Sequence, residues 1–430
     1  MNAFRHRNYR LFFGGQAISL VGSWMMQVAQ AWLVLELTGD PLWLGIVMAA
    51  QFLPVMILGL FAGVYADSLP KRQTLMATQV VKMLLSIVLA VLAFSGLATV
   101  PILIILALLI GVTNAVDMPV RQSFVIEMVG REDIGNAVAL NSAMFNGARI
   151  VGPAIAGLTI GAVGVAMAFV IDAVSFVAVI AALYAMRDGE LRSPVRIARP
   201  DSFGGVMSQL REGLHYVRVT PVVLMAILVL GLVATVGMNF AVIIPAYAQD
   251  ILDSGASGYG FLMAASGVGS LFAALWLAFS GRGRLRFIAY GAIVLGLSEV
   301  GLGIALSFPV AMVLMMGVGF GGILMAATVN TTIQMAVPDG LRGRVMSVYT
   351  TIFAGSTPVG GPLMGGLASV FGVAISLAIG GALAIGVGLG ALVWIRRLGA
   401  DGSAAGGREP GRRSAASAAP SSTLSDRPTT

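Results

Sequence analysis

The sequence has no cysteine and only two histidines, His6 and His215, among its 430 residues. The lack of cysteine excludes a disulfide framework, zinc–cysteine clusters and iron–sulfur sites, and two histidines leave metal or haem chemistry almost without ligands. Charge is scarce as well, because 10% of the residues are charged, against about 25% in soluble domains. These absences argue against a soluble protein, and we expect neither a metal nor a cofactor.

The chain is rich instead in apolar residues, which make up 58% of it. A membrane-spanning helix needs about 20 apolar residues, and twelve segments are long enough. They are too long and too continuous for barrel strands, which have about 10 residues of alternating polarity. The sequence thus predicts an all-α membrane protein with twelve transmembrane helices. The predicted spans are 11–37, 42–66, 74–96, 101–120, 137–161, 164–186, 222–248, 259–280, 286–307, 309–336, 345–370 and 373–395.

The basic residues lie on one side of the predicted membrane topology. Of the 26 lysines and arginines, 24 fall in one alternating set of connections, which includes both termini, and none falls in the other set. The positive-inside rule therefore predicts that both termini of a multi-pass membrane protein lie in the cytoplasm. The net charge of +7 does not indicate a nucleic-acid partner, because no compact basic domain is present.

The chain divides into two halves of six spans each. We expect an N-terminal half at 1–186, a cytoplasmic loop at 187–221, a C-terminal half at 222–395 and a disordered cytoplasmic tail at 396–430. Within the loop, apolar residues at helical spacing predict an amphipathic helix on the membrane surface. These residues are Val206, Leu210, Leu214 and Val217.

A short motif repeats between the halves. Gly152-Pro153 with Gly157 in span five matches Gly361-Pro362 with Gly366 in span eleven, 209 residues later. Small residues allow helices to approach closely, and repeated halves are how many transporters build a site that opens to either side. The repeat therefore indicates helix-packing motifs of a transporter.

The connection after span two reads GVYADSLPKR and contains Gly63, Asp67, Lys71 and Arg72. Such a charged cluster can hold neighbouring helices together through ion pairs and release them when the pairs break. The alternative is a loop whose charges only determine the membrane orientation of the chain. The stretch resembles the signature loop of the major facilitator superfamily, apart from Pro70 in place of Gly and Tyr65 in place of Leu. The resemblance implies a gating charge relay that links Asp67, Lys71 and Arg72 to an acid at the end of helix four. Asp117, with Arg121 one turn later, is placed to serve there.

Further motifs follow in the order that is typical of one branch of this superfamily, which includes enterobactin exporters and macrolide-efflux proteins. The resemblance covers about residues 1–395 and implies the major facilitator fold and export of a small molecule. Ala156 departs from the antiporter motif, and residues 101–113 lack the basic residue of many drug–proton antiporters. The motifs are NAVDMPVRQS from Asn114, GRED from Gly130, RIVGPAIAG from Arg149, EGLHYV from Glu212 and RGRVMS from Arg342.

Polar residues form a stripe on one face of span one. Their spacing of three and four places them on one helical face, which lipid would penalise. The resemblance implies that helices one, four, seven and ten line a central cavity, so we expect a substrate pocket with scattered polar side chains. The alternative for any single polar residue is a hydrogen bond between helices. The stripe is Gln16, Ser19, Ser23, Gln27 and Gln30. The cavity and substrate candidates are Gln27, Gln30, Asn114, Asn146, Arg149, Asn239 and Asn330.

Four charged residues lie inside predicted spans: Lys82, Arg149, Asp172 and Glu299. Each costs about 2.5–3.5 kcal/mol at the bilayer centre, so each needs a reason to be there. Glu299, deep in span nine, is the candidate for proton coupling. For Glu299, Asp172 and Lys82 a structural pair or a silent protonated acid remains an alternative.

These features predict a secondary transporter that exports hydrophobic or amphipathic small molecules in exchange for protons. Uptake of a solute by the same fold is the alternative. A membrane-embedded enzyme or receptor is less well supported, because both histidines lie outside the spans and no sizeable extramembrane domain is present. The sequence contains no G-x-x-x-x-G-K-[ST] loop, so ATP is not expected to drive the cycle. The expected partners are the small molecule, protons and the bilayer.

Overall fold

A computed structural model describes residues 2–66, 69–192, 203–280 and 285–406. Within these ranges the chain is helical and contains no strand. A 3-10 turn at Asn2–Arg5 precedes α1, another at Asp188–Glu190 follows α5, and a π-helical turn at Tyr247–Ile251 follows α8. The helices are α1 (Arg7–Thr38), α2 (Pro41–Ala66), α3 (Lys71–Ser95), α4 (Val100–Val163), α5 (Val165–Tyr184), α6 (Phe203–Val219), α7 (Pro221–Gly237), α8 (Phe240–Ala246), α9 (Gly255–Phe279), α10 (Arg286–Ile304), α11 (Phe308–Ala336), α12 (Asp339–Phe371) and α13 (Val373–Gly406).

Helix α4 contains two of the predicted spans. Its 64 residues would extend about 96 Å if straight, roughly three times the hydrocarbon thickness of a bilayer. The chain turns back at Gly130, where φ is +76° and a side chain would be strained. The Arg192 guanidinium also occupies the position of a Cβ at this residue. The two arms, 100–129 and 131–163, correspond to spans four and five.

Ten helices of the described chain are long and apolar enough to cross a membrane, with α4 counted once and α7 and α8 together. Helix α12, which contains predicted span eleven, falls below this hydropathy because it includes polar residues, glycines, Pro358 and Pro362. With both arms of α4 and with α12, the chain makes twelve helical passes, and the predicted all-α fold of twelve transmembrane helices is confirmed.

Two segments add detail to the predicted division of the chain. Helix α6, predicted on the membrane surface, packs against α12 and α7, and its Val217 is buried. Helix α13 continues to Gly406, so residues 396–406 of the tail that was predicted to be disordered are helical. No proline interrupts α13 in that stretch, since the next one is Pro410. Residues 407–430 lie outside the described chain.

Alternating connections define two ends of the helix bundle. The basic end is the end of the bundle that contains the chain N-terminus, the Gly130 bend and the connections after α2, α5, α9 and α11. The opposite end has the connections after α1, α3, α10 and α12, which contain no lysine or arginine.

The buried apolar residues form three clusters. The largest lies toward the opposite end and includes residues of both halves, such as Leu35, Ile160, Tyr259 and Met364. Two smaller clusters lie toward the basic end. One contains residues of the N-terminal half alone and the other of the C-terminal half alone. The described helices thus share one core at the opposite end and have two separate cores at the basic end.

Candidate functional site

Helix α12 contacts α2 through glycines near the opposite end. A Cβ on Gly45 of α2 would overlap the main chain of Gly361, and a Cβ on Gly365 would overlap the Pro41 carbonyl. Gly366 has ordinary contact with the Leu42 side chain, at 3.7 Å from a Cβ placed on it. The second copy of the repeated motif, with Pro362 beside Gly361, therefore lies at a contact between the halves where a side chain on Gly45 or Gly365 would not fit.

The first copy of the motif packs against two helices. A Cβ on Gly157 would lie 2.9 Å from the Cα of Gly260 in α9, and Ser257 Oγ donates a hydrogen bond of 3.1 Å to the Gly157 carbonyl. The Pro153 carbonyl also borders Gly260. Gly152 faces α1 instead, where a Cβ would collide with Trp24 and Val21. This motif therefore joins α4 to the other half through Gly157.

The polar stripe of α1 faces protein. Gln16, Ser19 and Gln30 are buried, and Ser23 and Gln27 are half-buried. The Gln30 amide nitrogen has no hydrogen-bond partner. Two residues beyond the stripe, Trp32 stacks on Tyr259 of α9, with ring centroids 6.4 Å apart. None of the five polar residues is exposed, as expected if the stripe avoids lipid.

The other cavity candidates are distributed over several helices. Asn146 donates a hydrogen bond to a carbonyl of its own helix, and Asn239 donates to two carbonyls of the preceding helix, α7. Asn330 accepts a 2.5 Å hydrogen bond from Gln334 one turn later. Asn114 and Arg149 are half-buried. For the three residues with a local hydrogen bond, that bond satisfies the polar side chain in this conformation without a contact to cargo.

Asp117 is the centre of a buried polar cluster. It is fully buried, and its Oδ1 accepts hydrogen bonds from Thr78 Oγ1 (2.8 Å) and Gln79 Nε2 (2.7 Å) of α3. Its Oδ2 pairs with Lys82 Nζ at 3.1 Å and with Arg121. One buried carboxylate is thus paired with two half-buried cations, as a buried charge requires. The structure brings Asp117 and Arg121 together.

The basic residues of the loop after α2 have other partners. Buried Lys71 pairs with Glu127 of α4 at 2.6 Å. Arg72 donates to the carbonyls of Leu183 (2.8 Å) and Tyr184 (3.0 Å) at the end of α5 and also pairs with Asp188. Lys71 therefore contacts Glu127, and not Asp117, in this conformation. Gly63 lies in α2, and Asp67 lies outside the described residues.

The chain N-terminus is fastened to the segment after the Gly130 bend. Asp133 Oδ2 lies 2.8 Å from His6 Nε2 and 2.8 Å from the Arg5 guanidinium. The hydrogen bond with His6, assisted by Arg5, holds the pKa of this carboxyl below its ordinary value. The Ala3 N–H also donates to Asn136 at 3.0 Å. These contacts tie residues 2–6 to the N-terminal half at its basic end.

Two further acids are buried within the helices. Asp172 of α5 is fully buried and accepts a 2.6 Å hydrogen bond from Ser86 of α3, while its Oδ1 has no partner and lies beside Gly22. Glu299 of α10 is 5% exposed, and its Oε2 has no hydrogen-bond partner. Neither acid forms an ion pair within 4 Å in the described chain.

Sequence reasoning missed several of these partners. Glu127 and Asp188 lie 56 and 116 residues from their basic partners, and no local pattern connects them. A signal did exist in α3, where four polar residues occupy one helical face within an apolar run. That face contains the partners of both buried aspartates. The residues are Thr78, Gln79, Lys82 and Ser86.

Comparisons with known proteins agree with this architecture. Residues 1–411 match the family described as transmembrane secretion effector. The multidrug efflux pump Tap of Mycolicibacterium fortuitum is 30% identical over 82% of this chain and 87% of its own. The staphyloferrin A transporter of Staphylococcus aureus is 23% identical over 86% of this chain and 92% of its own. Among solved structures, the nucleoside transporter NupG superposes with a TM-score of 0.72 at 11% identity, over 91% of this chain and all of that one.

Proposed function

We propose a function from the premise that this chain belongs to the transmembrane secretion effector family, whose members are major facilitator superfamily transporters and not enzymes. The chain exports hydrophobic or amphipathic small molecules, such as drugs or siderophore-like compounds, from the cytoplasm. Export proceeds by alternating access between two six-helix halves, 1–186 and 222–395, and is driven by protons entering the cell.

The observation that carries this proposal is the unequal packing of the two ends. Both halves contribute to one apolar core at the opposite end, closed by the Gly45–Gly361 and Gly157–Gly260 contacts. At the basic end each half has its own core. Such packing supports a conformation that is closed on one side and can separate on the other, which is half of an alternating-access cycle.

The distribution of charge supports the direction in which this conformation faces. The basic end would lie in the cytoplasm of the bacterial plasma membrane, with both termini, because the connections at the opposite end contain no lysine or arginine. The central site would then be open to the cytoplasm. This is the conformation that an exporter uses to receive its cargo.

The lining residues support a cargo that is largely apolar. Between the helices, α1 offers a buried polar stripe beside Trp24, which packs edge-on against Phe145 with centroids 5.7 Å apart. Arg149 lies one turn from Asn146 and is a candidate for contact with an anionic or polar group of the cargo. The names of the relatives, a multidrug efflux pump and a siderophore transporter, agree with this chemistry.

Proton coupling would operate through the buried acids. We place the gating relay at Asp67, Lys71, Arg72, Asp117 and Arg121. In the conformation observed, Lys71 bonds Glu127 and Asp117 bonds Lys82 and Arg121. Closing the basic end would require an exchange of these partners, so the latch would have one set of ion pairs in each conformation. Glu299 is the candidate carrier in the C-terminal half.

Transport by purified protein in proteoliposomes tests the proposal. A vesicle with an acidic interior, in which the protein is inserted inside out, should accumulate a fluorescent amphipathic amine or dye. Collapse of the pH gradient should stop this accumulation. Asp67→Asn should abolish transport at unchanged protein content. Transport of the dye in the same direction as the protons would indicate uptake instead. A wild-type transport rate in Asp67→Asn would overturn the gating role of Asp67.

A ligand screen by thermal shift identifies the cargo class. Drugs and siderophores are tested against wild-type protein and against Arg149→Ala, with Arg286→Ala, an exposed arginine at the basic end, as the matched control. A stabilising ligand whose effect is lost only in Arg149→Ala supports both the cargo and its site. A ligand that stabilises all three proteins equally would remove Arg149 from the site.

A further inference from the structure

The seventh pass, Pro221–Ile251, is interrupted near its middle. Helix α7 ends at Gly237 and α8 begins at Phe240, with Met238 and Asn239 between them in non-helical conformations. The Asn239 side chain donates hydrogen bonds to the carbonyls of Ala234 (3.2 Å) and Thr235 (2.8 Å). In an unbroken helix those carbonyls would accept from the N–H groups of residues 238 and 239. The amide of Asn239 therefore stabilises the break.

Glu299 of α10 lies against this break. A Cβ on Gly237 would lie 3.3 Å from Glu299 Oε2 and 3.7 Å from Oε1. A Cβ on Gly380 of α13 would lie 3.5 Å from the same Oε2 and 2.9 Å from the Val236 carbonyl oxygen. The Leu295 side chain (2.8 Å from the Cβ on Gly237) and the Met364 side chain (2.9 Å from the Cβ on Gly380) also border these positions, so the carboxylate and a carbonyl of the last turn of α7 lie beside the same close-packed contact of α7, α10 and α13.

Among the residues that the structure describes, no basic side chain pairs with this carboxylate. Helix α10 packs against α7, α11 and α13, and α7 and α11 contain no charged residue. The charged residues of α10 and α13 other than Glu299 lie near the basic end, at least about 20 Å along the helices. They are Arg286, Arg396, Arg397 and Asp401, and the further titratable group on α10 is exposed Tyr290.

An ionised carboxylate in such surroundings is strongly unfavourable without a bound positive charge. The last carbonyls of α7 add the negative end of a helix dipole at the same place. Broken helices whose carbonyl ends meet a buried acid are a known way to bind coupling ions in transporters. Both features favour the same ligand, a single small cation.

We propose that Glu299, the Val236 carbonyl and the broken end of α7 form a site for one monovalent cation, a proton or a sodium ion. Helix α8 packs against α1, α2 and α12 at the closed end. Occupancy of the site would set the angle between α7 and α8 and so favour or release that closure. The inference rests on the proposed transport function, because the cation is the one coupled to the cycle.

Thermal unfolding of the purified full chain measures the site without transport. Wild-type protein in choline buffer should lose several degrees in Tm as the pH rises from 5 to 9 and the proton leaves. If the ligand is sodium, NaCl should restore the Tm and KCl should not; if it is a proton, neither salt should do so. Glu299→Gln, which cannot lose a proton, should show no sodium response and a weaker pH dependence than wild type. Asp172→Asn, which alters a second buried acid, should keep any sodium response and the part of the pH dependence that Glu299 supplies.

A second measurement reports the bend itself. Because the chain has no native cysteine, spin labels at Leu232→Cys and Gln249→Cys, both exposed, measure the distance across the break. We expect the distance to change with pH or sodium in wild type and to stay fixed in Glu299→Gln. Should Glu299→Gln fail to fold, Gly380→Ala retains the acid but places a methyl group 3.5 Å from its Oε2 and 2.9 Å from the Val236 carbonyl oxygen, and it should shift the pH or sodium midpoint at least fivefold.

An unchanged pH and sodium response in Glu299→Gln, or an unshifted midpoint in Gly380→Ala, would overturn the site. The cation response of the Tm does not depend on the cargo, so it survives if the export proposal fails. Conversely, proton-driven transport by Glu299→Gln at the wild-type rate would overturn the proposed cation site but would leave the export proposal intact.

Discussion

The main chains of Gly45 in α2 and Gly361 in α12 lie so close together that a Cβ on Gly45 would overlap the Gly361 carbonyl group. The two residues belong to different halves of the chain, 316 residues apart by their numbering. Close main-chain approach of this kind maximises dispersion contacts between membrane helices. It also makes the closed end sensitive to one methyl group, since the backbone cannot move away locally.

Gly45→Ala should therefore favour separation at the opposite end. Overpacking costs about 1–3 kcal/mol, which corresponds to roughly a 5- to 150-fold shift in the conformational equilibrium. Spin labels at Ser142→Cys and Thr350→Cys, exposed positions toward the basic end, should move closer together, and transport should fall. Gly59→Ala on the same helix is the control, because no atom lies within 4 Å of its Cβ. Equal behaviour of the two variants would contradict the role of the Gly45–Gly361 contact.

Asp117→Asn should destabilise the N-terminal half. Asparagine still offers an acceptor to Thr78 and Gln79, but the half-buried cations Lys82 and Arg121 lose their counter-charge. Removal of one partner from a buried ion pair costs about 3–5 kcal/mol. Thermal unfolding should show a Tm loss that the additional change Lys82→Met partly reverses. Additive losses in the double variant would mean that Lys82 and Asp117 are not coupled.

The spans were predictable because an apolar run of about 20 residues has few alternatives to a membrane helix. The bend at Gly130 and the break at Asn239 were not predicted. At Gly130 the helical pattern continues on both sides of a left-handed residue, and at Asn239 the break is stabilised by a side-chain amide within an apolar sequence. Neither signal appears in hydropathy.

The site was predictable to a smaller extent. Asp117 and Arg121 are one turn apart, so their pairing is a local property of a helix. The partners of Lys71 and Arg72 are Glu127 and Asp188, and these pairings depend on how α3 packs against α4 and α5. A family motif identifies which residues are charged there, but the tertiary structure decides which of them meet in a given conformation.

Arg72→Lys should reduce stability although it preserves the charge. The guanidinium donates to two carbonyls at the end of α5 and pairs with Asp188, and an ammonium group cannot reproduce that planar set of donors. Hydrogen bonds from a charged group contribute about 1.5–3 kcal/mol, so we expect a lower Tm. If anchoring is the whole role of Arg72, the efflux rate per folded molecule should remain at the wild-type level. A lost efflux rate at unchanged Tm would assign Arg72 to gating.

Acid should loosen the attachment of the N-terminus through Asp133. The pKa of its carboxyl is lowered in the folded chain by the hydrogen bond with His6 and by Arg5, against an ordinary value of about 3.9. A lowered folded pKa means that the contribution to stability is fully present above the ordinary value and is lost as the pH falls through the folded value. The Tm difference between wild type and Asp133→Asn should thus be largest above about pH 5 and shrink toward pH 3. Glu132→Gln, whose side chain is 77% exposed and 3.9 Å from Arg5, is the control and should match wild type across this range. A Tm difference that stays constant from pH 6 to pH 3 would show that Asp133 stabilises the chain by shape and not by charge.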